Sequence, residues 1–587
     1  MVRISLHLRR LVRRNEAGFI GLAVAAGCIA GLCVAALLDC ADFLHYWFFG
    51  HRRLSSLVSL DAPAQALIPL AGGLVLGISG IYVRKWMPWR PVDPIEANAL
   101  QGGRMSLKDS AVIAAQTVIS NGFGASVGLE AAYTQMGSGF ASWLGKVFQL
   151  RRGDMRTLVA CGSAGAIGAA FGAPLTGAFY AFELILGTYT PSSLAPVGAA
   201  AICGVLVSKV FGSSGEFMTQ MTLNSALSQA DMGLLLLLGI GCAMFGIGMM
   251  RAVAFVEAVC GRSRLPRAFQ PAIGGIVVGL LALMTPHVLA SGHGALFELF
   301  GESAGAPDVV LVALLLKAAA SVVSLGTGFR GGLFFASLFL GGMIGRVYFF
   351  GVEYIDPSLA PDANVCTLVG MAALAVAIIG TPLTMGFLAL ETTGDFPLSL
   401  VMLAVASVVS IIVRRAFGYS FATWRLHLRG ESIRSAQDVG WIRDLTVGRL
   451  MRTDVPKARF DMTVALFMEE FPARSTNQWI VVTGASGEYA GMVFVPDVHL
   501  AGLHGDAGVM GLGKLARSSD AFLLPGMNIK LAAQFFEQTE NEALAVVDNE
   551  KERRVVGLLT EAHVLRRYTD ELGKAHRELS GDWSGAS

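Results

Sequence analysis

Glu130 is the single charged residue in ISNGFGASVGLEAAYTQMGSGFASWLG, the stretch from Ile119 to Gly145. Apolar and small residues surround it, with Gly122, Gly124 and Gly128 just ahead. At membrane depth an ionised carboxylate costs at least ~2.5 kcal/mol unless it is paired, neutral or facing water. Burial favours the neutral acid, whereas helix N-termini facing it favour the carboxylate. A group held in that balance responds to protons. The competing reading of Glu130 is a glutamate at a helix end on the aqueous rim. Two further glutamates close related stretches, GAPLTGAFYAFE at Glu183 and GTPLTMGFLALE at Glu391. Nucleophilic chemistry has Ser79 in GISG, which would need His287 or His293 on a facing helix. There is no HExxH, and the 8 cysteines show no CxxC or other metal spacing. They read as small core residues packed between helices.

The elements that must hold these groups follow from composition. The 587 residues are 54% hydrophobic and 15% charged, with 70 glycines and a mean hydropathy of +0.58. Soluble domains carry about 25% charged residues, so most of this chain belongs in a membrane. A net charge of +2 gives no ground for a nucleic-acid partner. Five arginines precede an apolar run from Gly18 to about Leu38, roughly the 20 residues needed to span hydrocarbon. A cleaved signal peptide has a shorter apolar core, about 7–15 residues. The run therefore reads as a retained first helix with its N-terminus in the cytoplasm.

The clearest apolar segments are 66–84, 157–170, 174–187, 192–211, 232–260, 271–288, 309–324, 332–350, 365–380 and 397–413. Several are short or broken by glycine. Broken backbone at membrane depth survives only where protein buries it or where it lines a wet cavity, which points to a transport path. The shared small-Pro-Leu-Thr and closing glutamate of the two quoted stretches indicate two related halves with a site between them. After Arg414 the chain turns basic, which places this end of the membrane region in the cytoplasm too. From about Leu445 it reads as soluble α/β, two copies of one β-α-β-β-α unit, with strands at QWIVVT, YAGMVF, EALAVVD and RRVVGLLT.

The stretch LLLKAAASVVSLGTGFRGGLFFASLFLGGMIG (314–345) resembles the CLC chloride channels and proton-coupled anion exchangers. A lysine helix, a glycine-rich turn, Gly-x-Phe and a second glycine-rich helix carry the likeness. GMAALAVAIIGTPLTMGFLALETTGDF (370–396) and GAIGAAFGAPLTGAFYAFELILG (165–187) are similar to two more family blocks. The C-terminal unit is similar to a CBS-domain pair. The resemblance implies an all-α polytopic membrane protein, an inverted repeat of tilted, broken helices, with a cytoplasmic α/β CBS-pair domain. The expected divisions are a basic N-terminus over 1–17 and a transport domain over 18–430, with halves at about 18–212 and 232–430. A linker over 431–444, a CBS module over 445–572 and a tail over 573–587 follow. Also implied are a homodimer in the bilayer, a bacterial inner-membrane location, and small anions, chloride by default, as cargo.

Carried over residue by residue, the family's Gly-Arg-Glu-Gly-Pro loop becomes GLEAA, with Gly128 and Leu129 ahead of Glu130 as gating glutamate. Gly332, Leu333 and Phe334 would turn backbone N–H groups to the anion, while Ala336 replaces a proline. Pro91 falls at the family's chloride-coordinating serine, as in plant nitrate-preferring members, and Asp93 reads as an exposed loop carboxylate. Ala422 falls at the central tyrosine, which should widen the inner gate. Leu184 falls at the internal proton glutamate and cannot titrate. Together these imply nitrate-permissive anion permeation with weak or absent proton coupling; the alternative is an anion/proton antiporter with an unusual inner path.

Two remoter readings complete the field. GISG resembles the serine motif of rhomboid proteases, although a glycine and serine in a helix ordinarily serve packing. The CBS pair could sense adenine nucleotides through a Thr-x-x-Asp pattern. However, the second copy has Thr560 with His563, and the first has Phe494 with Asp497. Neither copy carries both groups, so a structural role stands beside the sensing one and no cofactor is required.

Overall fold

The computed structural model describes residues 15–52, 54–57, 60–86, 92–212, 229–300, 305–418, 420, 423–424, 445–473, 478–503, 510–539 and 541–567. Pro91 and Ala422 lie outside them. The chain divides into two compact units, Met1–Asp438 and Val439–Ser587.

The first unit is helical. Its helices are α1 Glu16–Phe49, α2 Ile68–Trp86, α3 Pro94–Leu100, α4 Leu107–Gly122, α5 Glu130–Phe148, α6 Arg152–Phe171, α7 Pro174–Tyr180 and α8 Pro191–Val210. There follow α9 Gln229–Arg262, α10 Gln270–Ala282, α11 His293–Leu296, α12 Pro307–Thr327, α13 Phe334–Ile355, α14 Ala363–Ile379, α15 Pro382–Thr393 and α16 Phe396–Ala416. Pro174 and Pro382 open α7 and α15, where a missing N–H costs no helical bond. Just before them Gly172 (φ 66°) and Gly380 (φ 85°) end α6 and α14 in the left-handed region. The same stop-and-start signal is thus written in both halves.

Among the described residues, seven helices are long and apolar enough to cross a membrane: Glu16–Phe49, Pro63–Val83, Pro191–Val210, Asp231–Arg262, Pro307–Thr327, Phe334–Ile355 and Phe396–Ala416. Large apolar side chains such as Trp47, Leu206 and Phe255 face outward on three of them, as hydrocarbon requires. This is an integral membrane protein. Inside, α14 is buried along its length against α13. A Cβ on Gly341 of α13 would collide with the Gly370 carbonyl of α14, and one on Gly137 of α5 with the Gly162 carbonyl of α6. Small residues bring the backbones together where lipid supplies no hydrophobic drive. Helices α4 and α5 were not among the clear apolar segments, because they bury Gln116, Thr117, Ser120, Asn121, Gln135 and Ser138.

The second unit opens with α17 Val447–Leu450 and holds β1 Lys457–Arg459, α18 Val464–Glu470, β2 Trp479–Thr483, β3 Tyr489–Phe494 and α19 Val495–Gly502. Its second copy has α20 Ile529–Thr539, β4 Ala543–Val547, β5 Val555–Thr560 and helical turns over 561–567. Strand β1 is parallel to β2, and β2 is antiparallel to β3. The β4–β5 hairpin repeats the β2–β3 register, each with an irregularity after the pair formed by Val482 with Gly491 or Val546 with Gly557. One α/β plan is therefore used twice.

Candidate functional site

Two glycine-rich loops meet inside the helical unit. One leads into α5 and the other into α13. They form an antiparallel bridge in which Gly128 N–H donates to the Gly332 carbonyl (2.8 Å) and Gly332 N–H to the Gly128 carbonyl (3.0 Å). Because the bridge is antiparallel, the chains leave it in opposite directions, and α5 and α13 diverge from facing N-termini. Each loop is tied to the opposite half. Ser126 N–H donates to Ser324 Oγ (3.1 Å), and Arg330 N–H donates to Ser120 Oγ (3.0 Å). Asn121 Nδ2 adds a bond to the Val127 carbonyl (2.7 Å).

Neither N-cap residue, Leu129 nor Leu333, supplies a side-chain cap, so helix N–H groups are left for another acceptor. Glu130 takes one: Phe335 N–H donates to its Oε1 at 3.0 Å. The Glu130 residue is only 5% exposed, and Oε2 has no hydrogen-bond partner among the described residues. The carboxylate folds back over both glycines. A Cβ at Gly128 would collide with it, and a Cβ at Gly332 would lie 3.0 Å from Oε2. The carboxyl group thus stands at helix N-termini, each of which carries about half a positive charge and favours an anion.

A cavity of about 220 Å³ opens beside Glu130. Gly332, Leu333 and Phe334 line it, and so does Leu184; the Gly332 N–H, expected to face an anion, donates instead to the Gly128 carbonyl, which corrects that part of the reading. Gly128 and Leu129 are not among the residues that line it. Gly128 is spent on the bridge, and Leu129 packs in an apolar cluster with Val118 and Tyr133. Asp93 is a second correction. It is half-buried rather than exposed and lines the cavity, and its Oδ1 caps α3 by accepting from Glu96 N–H at 2.8 Å. Tyr180 and Arg330 also line the cavity, and the sequence reading gave neither a role. The signals were present, since Tyr180 precedes the Glu183–Leu184 pair by one turn and Arg330 is the one cation in GTGFRGGLFFA.

Residues 181–186 form a π-helical segment, on which the neighbours Glu183 and Leu184 face different surroundings. Leu184 lies on the cavity, while Glu183 reaches α15. Its Oε1 accepts from Leu383 N–H (3.0 Å) and its Oε2 from Thr384 N–H (2.8 Å) and Oγ1 (2.7 Å). Glu391 returns the arrangement on α7, accepting from Leu175 N–H (2.7 Å), Thr176 N–H (2.8 Å) and Thr176 Oγ1 (2.7 Å). Ser79 bonds no histidine among the described residues: its hydroxyl donates to the Leu76 carbonyl at 2.7 Å. His287 bonds the Ser55 carbonyl and His293 the Ser291 hydroxyl, so the protease constellation does not assemble. In the second unit Thr560 ends β5, and Asp497 pairs with Arg517 at 3.2 Å.

Paired broken helices, an intramembrane glutamate on facing N-termini and a cavity beside it define a membrane anion-transport protein. The family model described as voltage gated chloride channel matches residues 75–415. A putative ClcB-like chloride channel protein of Ralstonia nicotianae is 30% identical over 407 residues, which are 68% of this chain and 94% of that protein. A slow cyanobacterial Cl⁻/H⁺ antiporter superposes with a TM-score of 0.61 at 19% identity, covering 70% of this chain and 97% of its own. A eukaryotic CLC transporter does so with a TM-score of 0.60 at 16% identity, covering 95% and 98%. The chain belongs to the CLC family of anion-transporting membrane proteins.

Proposed function

We propose that this protein passes small inorganic anions, chloride first and nitrate as well, through the cavity beside Glu130, with little or no proton coupling. The observation that carries the reading is the seat of the Glu130 carboxylate. One oxygen is held by Phe335 N–H and the other has no partner among the described residues. A group so placed competes with an anion when ionised and yields when protonated. Such a site holds the anion by partial charges, weakly enough to release it. Chloride as cargo is supported by the name of the Ralstonia relative. Weak coupling is supported by Leu184, which lines the cavity without an ionisable group. Gly332, Leu333 and Phe334 line the path. Pro91 and Ala422, read from sequence, loosen its selectivity and its inner constriction. The protein works as a homodimer in a bacterial inner membrane, with both termini and a CBS-type module in the cytoplasm.

The second reading is anion/proton antiport, and Asp93 favours it, being a second carboxylate on the cavity that Glu130 lines. Proteoliposomes with an external pH electrode and valinomycin separate the two. A chloride gradient is expected to drive chloride flux with little uphill proton movement. Robust proton pumping abolished by a protonophore overturns the uncoupled reading and leaves the antiporter.

A further inference from the structure

An anion in this cavity meets two carboxylates and one cation, Arg330, so the uncharged donors beside them decide which anion binds. Most polar side chains on the lining have spent their protons. Thr117 Oγ1 donates to the Ile113 carbonyl and Thr134 Oγ1 to the Glu130 carbonyl, both at 2.9 Å. Gln135 Nε2 donates to the Val92 carbonyl (2.9 Å) and Ser110 Oγ (3.2 Å). Tyr180 is different. It is 8% exposed, lines the cavity, and its hydroxyl has no hydrogen-bond partner among the described residues. Its ring centroid lies 6.0 Å from that of Phe334, the first residue of α13, and Glu130 and Asp93 line the same cavity.

Leaving a buried hydroxyl unpaired costs about 1–3 kcal/mol, and two other phenols here avoid it. Tyr348 donates to the Leu234 carbonyl and Tyr489 to the Ser518 carbonyl, both at 2.8 Å. The Tyr133 hydroxyl also lacks a partner, but it sits in a packed apolar cluster away from the cavity. Tyr180 therefore offers an uncommitted O–H beside the N-terminus of a 22-residue helix. Position explains why: it is the last residue of α7, and the π turn that follows brings Leu184 to the same cavity.

We propose that the Tyr180 hydroxyl donates a hydrogen bond to the anion crossing this cavity, the ligand being a small monovalent anion of halide or nitrate size. This rests on the transport reading above and assigns the side-chain contact that sets its anion preference. A phenolic O–H discriminates by acceptor charge density, so it favours fluoride over chloride and chloride over iodide. Phenylalanine keeps the ring and removes only the donor.

The test uses full-length protein in detergent for halide titration calorimetry and in liposomes for efflux, with thermal melting as the check on folding. Tyr180→Phe is expected to raise the chloride Kd about tenfold, with a larger loss for fluoride, a smaller one for iodide, and an unchanged melting temperature. A Tyr180→Phe protein with wild-type affinities overturns the proposal. So does a loss uniform across halides, or one accompanied by a lowered melting temperature. If the wild type neither binds nor passes halides, the transport reading itself falls. Wild-type transport with an indifferent Tyr180→Phe removes the tyrosine assignment alone.

Discussion

The two halves of the membrane unit match at one pair of contacts and differ at another. At the proline-headed helices they are interchangeable: Glu183 caps α15 and Glu391 caps α7, each through two N–H groups and one threonine hydroxyl. At the bridged loops the backbone is equally reciprocal, with Gly128 opposite Gly332 and Ser120 and Ser324 each holding the other loop. The residue that opens each helix breaks the symmetry. It is Glu130 on α5 and Phe334 on α13. The matched contacts hold the halves together, whereas the mismatch places one carboxylate at a meeting of two helix N-termini. Symmetry builds the site and asymmetry gives it a charge to titrate.

The largest expected effect falls on the matched pair. Glu183→Ala and Glu391→Ala each strand three donors, and hydrogen bonds to a charged acceptor contribute about 1.5–3 kcal/mol apiece. Both variants should lower the melting temperature of the detergent-solubilised protein, and by similar amounts. A large drop in one and none in the other breaks the equivalence of the halves.

The mismatch is tested next. Wild-type chloride efflux should rise several-fold as pH falls, because protonation releases Glu130 from Phe335 N–H. Glu130→Gln should hold flux near the acid level at every pH; a retained wild-type pH profile removes Glu130 as the gate. Glycine substitution sharpens the point. Gly128→Ala crowds the carboxylate out of its seat and should resemble Glu130→Gln, while Gly332→Ala, with a 3.0 Å contact to Oε2, should shift the profile less.

The smallest effect concerns Asp93. Asparagine caps a helix about as well as aspartate, so Asp93→Asn keeps α3 and removes one negative charge from the cavity. Chloride should bind roughly 2–5-fold tighter, since charges near a wet cavity interact through a high effective dielectric. Unchanged binding means Asp93 is screened from the anion, and abolished proton pumping in this variant favours the antiport reading.

Much of this was legible beforehand because the signals are local. Apolar length marks a spanning helix, Gly-then-Pro marks a break, and a lone glutamate in a glycine-rich loop stands out against everything near it. Helices α4 and α5 were harder to see because they bury amides and hydroxyls, which dilute the apolar signal that identifies a span. Asp93 read as a loop acid because the sequence does not show that its oxygen caps α3 beside the cavity.

By itself, then, the sequence determined the membrane class, the repeated halves, the family and the carboxylate proposed as the gate, all of which depend on composition or on residues close together in the chain. Tertiary structure alone showed what each neighbour of a dipeptide meets, the cavity for Leu184 and the Leu383 and Thr384 N–H groups of α15 for Glu183. It alone brought Gly128 to Gly332 and left the Tyr180 hydroxyl uncommitted. Those outcomes depend on contacts between residues distant in the chain, and a hydrogen-bond partner supplied by the other half leaves no mark on the local sequence.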